Sequence, residues 1–295
     1  MAKTSPFDPA RVRMRARELA PGVQGVFADD VEEKDHTATN AGFIVGESGI
    51  LVVESLSNGR LASQLIGEIR KNTALPIRYL VNTSYHGDHC FGNFVFPQET
   101  TVIEHEFTKG FIDENFEEDR NFMIELLGEG RGVEEVVPRS ANLTLTEGIT
   151  LDLSTRKVEI LHIGFAQTEG DLIVHLPEEN IVFVGNMLQA PPPAFPWLLD
   201  GRPREAVETY HRLHDMLDDE IIIVPGHGRP MCRLDIRYSI EYIEDLVGQI
   251  EGALGRGLTL EQAQEEIRME RYSGYSMYEF IHFQVNIPAV YNEVA

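Results

Sequence analysis

A short apolar run, Ile77-Arg78-Tyr79-Leu80-Val81, passes directly into Asn82-Thr83-Ser84-Tyr85-His86-Gly87-Asp88-His89. The run reads as a buried strand, so His86, Asp88 and His89 all follow one strand end within four residues. A strand-to-loop junction aims several side chains into one cavity, and Gly87 between them lets the backbone turn tightly. Imidazole and carboxylate are suitable donors for zinc or another divalent transition metal. One histidine usually has a structural explanation. Two with an aspartate at one strand end, and His227 at a second, argue for a metal site.

Around this segment the chain reads as two strand-rich halves. The first holds β-rich runs at Val23–Phe27, Ala41–Val45, Ile50–Val53 and Thr101–Ile103, with a helix whose Leu61, Leu65 and Ile69 are spaced by four. The second holds Leu143–Leu153, Val158–Ile163, Asp171–Leu176, Ile181–Val184 and Glu220–Val224. A proline-rich loop, Pro191–Trp197, leads to a helix beginning near Pro203, a favourable first-turn position. Ile236, Ile240, Ile243, Val247, Ile250 and Leu254 then form one apolar stripe at helical spacing. Strands in both halves with helices around them predict two sheets packed face to face between helical layers. No linker divides the chain, so residues 1–295 read as one domain. It carries an acidic helical insertion near 111–138 and a helical extension near 255–295.

The charge balance, 25 basic against 48 acidic residues, gives −23. Such a field repels phosphate backbones and anionic lipid, which disfavours nucleic-acid and membrane partners and leaves a small-molecule substrate. Cys90 and Cys232 are the only cysteines, so no disulfide framework is expected and a reducing, cytoplasmic setting is the default. Neither a secretory leader nor a run of about 20 apolar residues is legible. Cys90 is expected to pack inward rather than to ligate a metal. The aromatic cluster around His282 reads as core, pocket wall or subunit contact, the last compatible with a homo-oligomer.

The motifs resemble those of the metallo-β-lactamase superfamily. Its His-x-His-x-Asp-His pattern falls on Ser84-Tyr85-His86-Gly87-Asp88-His89. NAGFIVGESGILVVES is similar to the opening hairpin, with Glu54 where the family usually carries aspartate. FAQTEGDLIVHLPEENIVFVGN is similar to the segment with the third and fourth motifs, and IIIVPGHG to the strand and loop bearing the last ligand. The implied fold is an α/β, αββα sandwich of two mixed sheets flanked by helices.

Carried over position by position, the resemblance puts first-metal ligands on Ser84, His86 and Gln167. The second-metal ligands fall on Asp88, His89 and His227, and the bridging aspartate on Asn186. A hydroxyl and two amides cannot balance a dication as imidazole and carboxylate do. One divalent ion is therefore expected at Asp88, His89 and His227, with Asn186 able to add a carbonyl oxygen. Zinc is the first choice, and iron or manganese suits the same donors. His162, five residues before Gln167, is a candidate substitute ligand, with a hydrogen-bonded wall position as the alternative.

These assignments imply a hydrolase of a small ester, lactone, thioester or amide. His86, relieved of ligation, would act as base, while Ser84 and Gln167 hold a water or substrate oxygen. The alternative is a lyase, cyclase or isomerase using His86 as base without a nucleophilic water. A metal-free binding protein is disfavoured by the survival of Asp88, His89 and His227 together.

Overall fold

A computed structural model describes residue 8 and residues 11–29, 38–191 and 194–295. Pro192 and Pro193 of the proline-rich loop therefore lie outside the described residues. Seven strands form the first sheet in sequence order: β1 (Arg13–Ala20), β2 (Val23–Asp29), β3 (Ala41–Val45), β4 (Ile50–Val53), β5 (Ile77–Val81), β6 (Thr101–His105) and β7 (Leu143–Leu145). Pairing is antiparallel from β1 to β4 and parallel from β4 to β7. The second sheet runs β12-β11-β10-β9-β8, from β8 (Gly148–Asp152), β9 (Lys157–Leu161), β10 (Ile173–Leu176), β11 (Ile181–Gln189) and β12 (Ile222–His227). Only the β11–β12 pair in it is parallel. Both sheets are mixed, as the αββα reading requires.

Side-chain alternation explains the layers. Leu51 and Val53 of β4, Val81 of β5, Phe183 of β11 and Val224 of β12 pack in the core between the sheets. Their neighbours Ile50, Val52, Leu80, Val182 and Ile223 face the other way and join the helical layers. Strands buried on both faces lose polar alternation and become continuous apolar runs, which is why they stand out in the sequence.

The helices are α1 (Gly59–Asn72), α2 (Gly87–Cys90), α3 (Glu106–Leu127), α4 (Pro203–Met216), α5 (Ile236–Gly255), α6 (Leu260–Glu266), α7 (Tyr278–Phe280) and α8 (Ile287–Val294). Residues Ile281–Asn286 between the last two are π-helical. Helix α1 is capped by Asn58, whose side chain accepts from the Leu61 amide at 2.9 Å, a standard way to satisfy an orphan first-turn N–H. Helix α3 takes up most of the acidic stretch and buries Ile112, Phe116, Met123, Leu126 and Leu127. No helix among the described residues is long and apolar enough to cross a membrane.

Two expectations change. Strand β1 alternates Met14 and Ala16 with arginines, a solvated edge pattern that an apolar-run criterion misses. The single strand expected at Leu143–Leu153 is two strands in different sheets: β7 pairs with β6 and β8 with β9. The chain crosses between the layers at Thr146-Glu147, two polar residues that interrupt the apolar pattern.

Candidate metal centre and pocket

Asp88, His89 and His227 come together at strand ends. One ligand atom from each lies within 4.8 Å of the others. The Asp88 carboxylate is the hub: its Oδ2 is 3.3 Å from His227 Nε2 and 3.5 Å from His89 Nε2, and accepts from Thr39 Oγ1 at 2.6 Å. Burial alone would raise the Asp88 pKa, but His89, His227 and the Thr39 hydroxyl hold it well below the usual carboxylate range.

Each donor is braced from behind. Glu54, at the end of β4, is buried and takes φ of 65°, a left-handed conformation that non-glycine residues rarely adopt outside functional sites. Its Oε1 lies 3.0 Å from His89 Nδ1 and also accepts from Thr83 Oγ1. Because Nδ1–H donates to Glu54, His89 turns Nε2 towards Asp88. That nitrogen is buried and has no hydrogen-bond partner. An imidazole held by a carboxylate at one nitrogen and unpartnered at the other is the arrangement of a metal-ligating histidine. Burial pulls the His89 pKa down, but Asp88 and Glu54 outweigh it and bring it to about 9. His227 is fixed through its loop: Asn40 Nδ2 donates to the carbonyls of Pro225 and Gly228 at 2.9 and 2.8 Å, and the Asn40 amide donates to Gly226 at 2.7 Å.

The neighbouring side of the cavity is neutral. His86 lies outside the three-residue cluster. Its Nδ1 is 2.8 Å from Asn186 Nδ2, and Asn186 Nδ2 also donates to Gln167 Oε1 at 3.4 Å. With the amide nitrogen donating to Nδ1, the neutral ring carries its proton on Nε2. Burial lowers the His86 pKa to about 4 against the pull of Asp88, so the ring is uncharged at neutral pH. His86 Nε2, Ser84 Oγ and Gln167 Nε2 are all buried without a partner. Gln167 is positioned through its backbone: Asp171 Oδ2 accepts from the amides of Ala166, Gln167 and Thr168 at 3.3, 2.6 and 3.0 Å.

His105, His162, His282 and Cys90 have structural surroundings. His162 Nδ1 bonds the Asp171 carbonyl at 2.9 Å and its ring lies against His105, away from the metal cluster. His105 accepts from the Phe107 amide at the start of α3. Cys90 is buried and donates to the Tyr85 carbonyl at 3.2 Å, and burial pushes its thiol well above the ordinary value. His282 is fully buried among aromatic rings.

Beyond the donors lies a pocket of about 620 Å³, mouth included. Its inner end is Asp88, His227, His86 and Asn186, with Ser57 and Gln189 beside them. Its walls are apolar and come from three places: Met123, Leu126 and Leu127 of α3; Phe195 and Trp197 of the proline-rich loop; and Tyr275, Met277 and Ile281 near the C-terminus. Asn286 joins the last two. Its Nδ2 donates to the Pro196 carbonyl at 2.7 Å and its Oδ1 accepts from the Leu198 amide at 2.8 Å.

Sequence reading found the donors but not Thr39, Thr83 or Asp171, and it gave Glu54 no structural role. Thr39 and Thr83 carry no pattern of their own. Glu54 had a signal: a carboxylate directly after a strand buried on both faces.

The donor set and its unpartnered nitrogen fit a divalent metal ion. The family model described as the metallo-β-lactamase superfamily matches residues 35–227. A linear primary-alkylsulfatase from Pseudomonas sp. (strain ATCC 19151) is 21% identical over 275 residues, covering 80% of this chain and 51% of that protein. The chain thus spans about half the length of this relative. Among solved structures, a metallo-β-lactamase from Pontibacter korlensis aligns with a TM-score of 0.63 and 16% identity, over 79% of this chain and 100% of its own. The DIM-1 metallo-β-lactamase aligns with the same score and identity, over 80% and 99%. These structural likenesses concern the fold. With its two mixed sheets, its strand-end donors and a family match over most of its length, the chain belongs to the metallo-β-lactamase superfamily.

Proposed function

We propose that the protein is a metal-dependent hydrolase of a small ester, lactone, thioester or amide, working with one ion held by Asp88, His89 and His227. The observation that carries this is the buried, unpartnered His89 Nε2 beside the ionised Asp88, at the inner end of a pocket. When bound, a divalent ion supplies Lewis acidity towards a carbonyl oxygen and towards the proton of an attacking water. Zinc suits the nitrogen and oxygen donors best, and iron or manganese can use the same set.

The chain's own residues divide the remaining work. Glu54 holds His89 in the tautomer and orientation that ligation requires. Asn186 sets the state of His86. With its amide nitrogen at Nδ1, the ring presents Nε2–H to a substrate oxygen or leaving group. With the carboxamide turned so that its oxygen accepts from Nδ1–H, Nε2 becomes a base. Either way the proton moves at Nε2, and the lowered pKa keeps the ring neutral for that task. Ser84 Oγ and Gln167 Nε2, both buried and unpartnered, supply hydrogen bonds to an oxygen of substrate or water. Ser84, Gln167 and Asn186 are neutral, which supports a single ion rather than a pair.

That neutrality also favours a second reading, a lyase, cyclase or isomerase in which His86 Nε2 moves a proton and the amides of Gln167 and Asn186 orient a carbonyl. Reaction in ¹⁸O-labelled water separates the two, because hydrolysis places the label in product. The primary test combines elemental analysis with turnover of a panel of carboxylic esters, thioesters and lactones. The alkylsulfatase relative adds octyl sulfate to the panel. Asp88→Ala should lose both the metal and turnover, whereas His86→Ala should keep the metal and lose turnover by about 10²-fold or more. Two tightly held ions per chain, or turnover that survives complete chelation, would overturn the proposal.

A further inference from the structure

We propose that the substrate carries a flexible hydrocarbon arm, which lies between α3 and the C-terminal segment while its reacting group reaches the metal donors. The inference rests on the hydrolase reading for the reacting group and on the pocket alone for the arm. One continuous pocket joins Asp88 and His227 to Leu126 and Leu127 on one wall and Met277 and Ile281 on the other. None of its described lining residues is a lysine or arginine, so its walls offer an anion no cationic side chain of that kind. Methionine in the wall adapts to chains of varied shape.

The location of these residues sharpens the point. Met277 and Ile281 lie beyond residue 227, where the family match ends. Apolar contact with the arm is therefore supplied partly by a segment outside the region that match covers. Asn286 ties that segment to the loop bearing Trp197 through the Pro196 carbonyl and the Leu198 amide. The C-terminal segment and the Trp197 loop are thus held to each other, and together they face Leu126 and Leu127 of α3 across the path of the arm.

Trp197 is the only tryptophan in the sequence and lines this pocket, so its fluorescence reports occupancy without any need for turnover. The test titrates zinc-loaded full-length protein with 1-hexanol, 1-octanol and 1-decanol. The dissociation constant should fall by up to about fourfold per added methylene, and Trp197→Phe should abolish the signal. Met277→Asp, which puts a charge in the wall, should weaken decanol binding at least tenfold. Equal dissociation constants for hexanol and decanol in the wild-type protein overturn the proposal, even if the Met277 variant does not fold. Matching acetate and decanoate esters then separate the two readings. Length-dependent alkanol binding without ester turnover sustains the arm and sinks the hydrolase. Turnover that is equally fast for both esters, with no length-dependent binding, does the reverse.

Discussion

The C-terminal segment that walls the pocket hangs on a single titratable ring. His282 is fully buried. Its Nε2 lies 3.1 Å from the Ile267 carbonyl, and its Nδ1 lies 2.9 Å from the Tyr242 hydroxyl. Asn286 Nδ2 donates to that same hydroxyl at 2.8 Å. The pattern closes in one way only: Nε2–H donates to Ile267, Tyr242 O–H donates to Nδ1, and Asn286 donates to the Tyr242 oxygen. A second proton on Nδ1 would set two donors against each other. Burial accordingly lowers the His282 pKa to about 4 from 6.5, against the opposing pull of the Ile267 carbonyl. The unfolded chain then takes up the proton first as pH falls. Stability is fully present above pH 6.5 and is lost progressively down to about 4, by about 3 kcal/mol for that interval. Between pH 8 and pH 5 the loss is about 2 kcal/mol. His282→Gln keeps a donor and an acceptor but cannot titrate. Urea unfolding of both proteins at pH 8 and pH 5 should show the wild type losing about 2 kcal/mol more than the variant, because acid-sensitive carboxylates contribute equally to each. Parallel losses in the two proteins would refute the reasoning, since they would mean that the folded ring accepts the proton without cost.

Two further perturbations probe the donor cluster. Glu54→Gln leaves an acceptor facing His89 Nδ1 but removes its charge, and metal affinity measured by competition with a chelator should fall about 10- to 100-fold; a change within twofold would deny Glu54 its orienting role. Gly185→Ala would place a Cβ 1.9 Å from Thr83 Oγ1 and 2.6 Å from Glu54 Oε1 at a φ of 48°. The overpacking should cost about 1–3 kcal/mol in a thermal or urea unfolding series and weaken metal binding with it, whereas an unchanged midpoint would show that Thr83 and Glu54 have room to move.

Most of the architecture was legible because its strands are buried on both faces and its long helices carry one apolar stripe. Ile50–Val53 and Ile77–Val81 were readable to the residue for that reason. Strand β1 was not, since an edge strand with outward arginines has too few apolar positions to register. The break between β7 and β8 was hidden because Leu143 and Leu145 before it and Ile149 and Leu151 after it keep the same alternation, with only the short polar step at Thr146-Glu147 between them. Within the site, Asp88, His89 and His227 announced themselves by residue type and strand-end position. Their supports did not, because a threonine or asparagine that braces a ligand differs from any other only in what it touches. Thr39 reaches Asp88 across 49 residues and Asn40 grips the His227 loop from 185 residues away. Such pairings depend on how the two sheets meet, which no local pattern records.

The two sides of the cavity follow opposite electrostatic rules, and that contrast is the ground for proposing one ion rather than two. On the Asp88 side, an ionised carboxylate and a histidine braced by Glu54 are buried together, and each lowers the cost of burying the other. A dication placed there would meet an ionised carboxylate and would take the place of the proton on His89 Nε2. On the other side, a neutral imidazole and two amides are joined by hydrogen bonds through Asn186, and the Ser84 hydroxyl is buried outside that network. A dication there would be desolvated without a carboxylate of its own, and burying uncompensated charge costs several kcal/mol. It would also have to break the Asn186–His86 bond that fixes the ring. The same neutral groups are well suited to a different task, since they can donate to or accept from a substrate oxygen without first expelling a proton or a counter-ion. His86 and Asn186 on that side thereby form a polar end for a pocket whose outer walls are apolar.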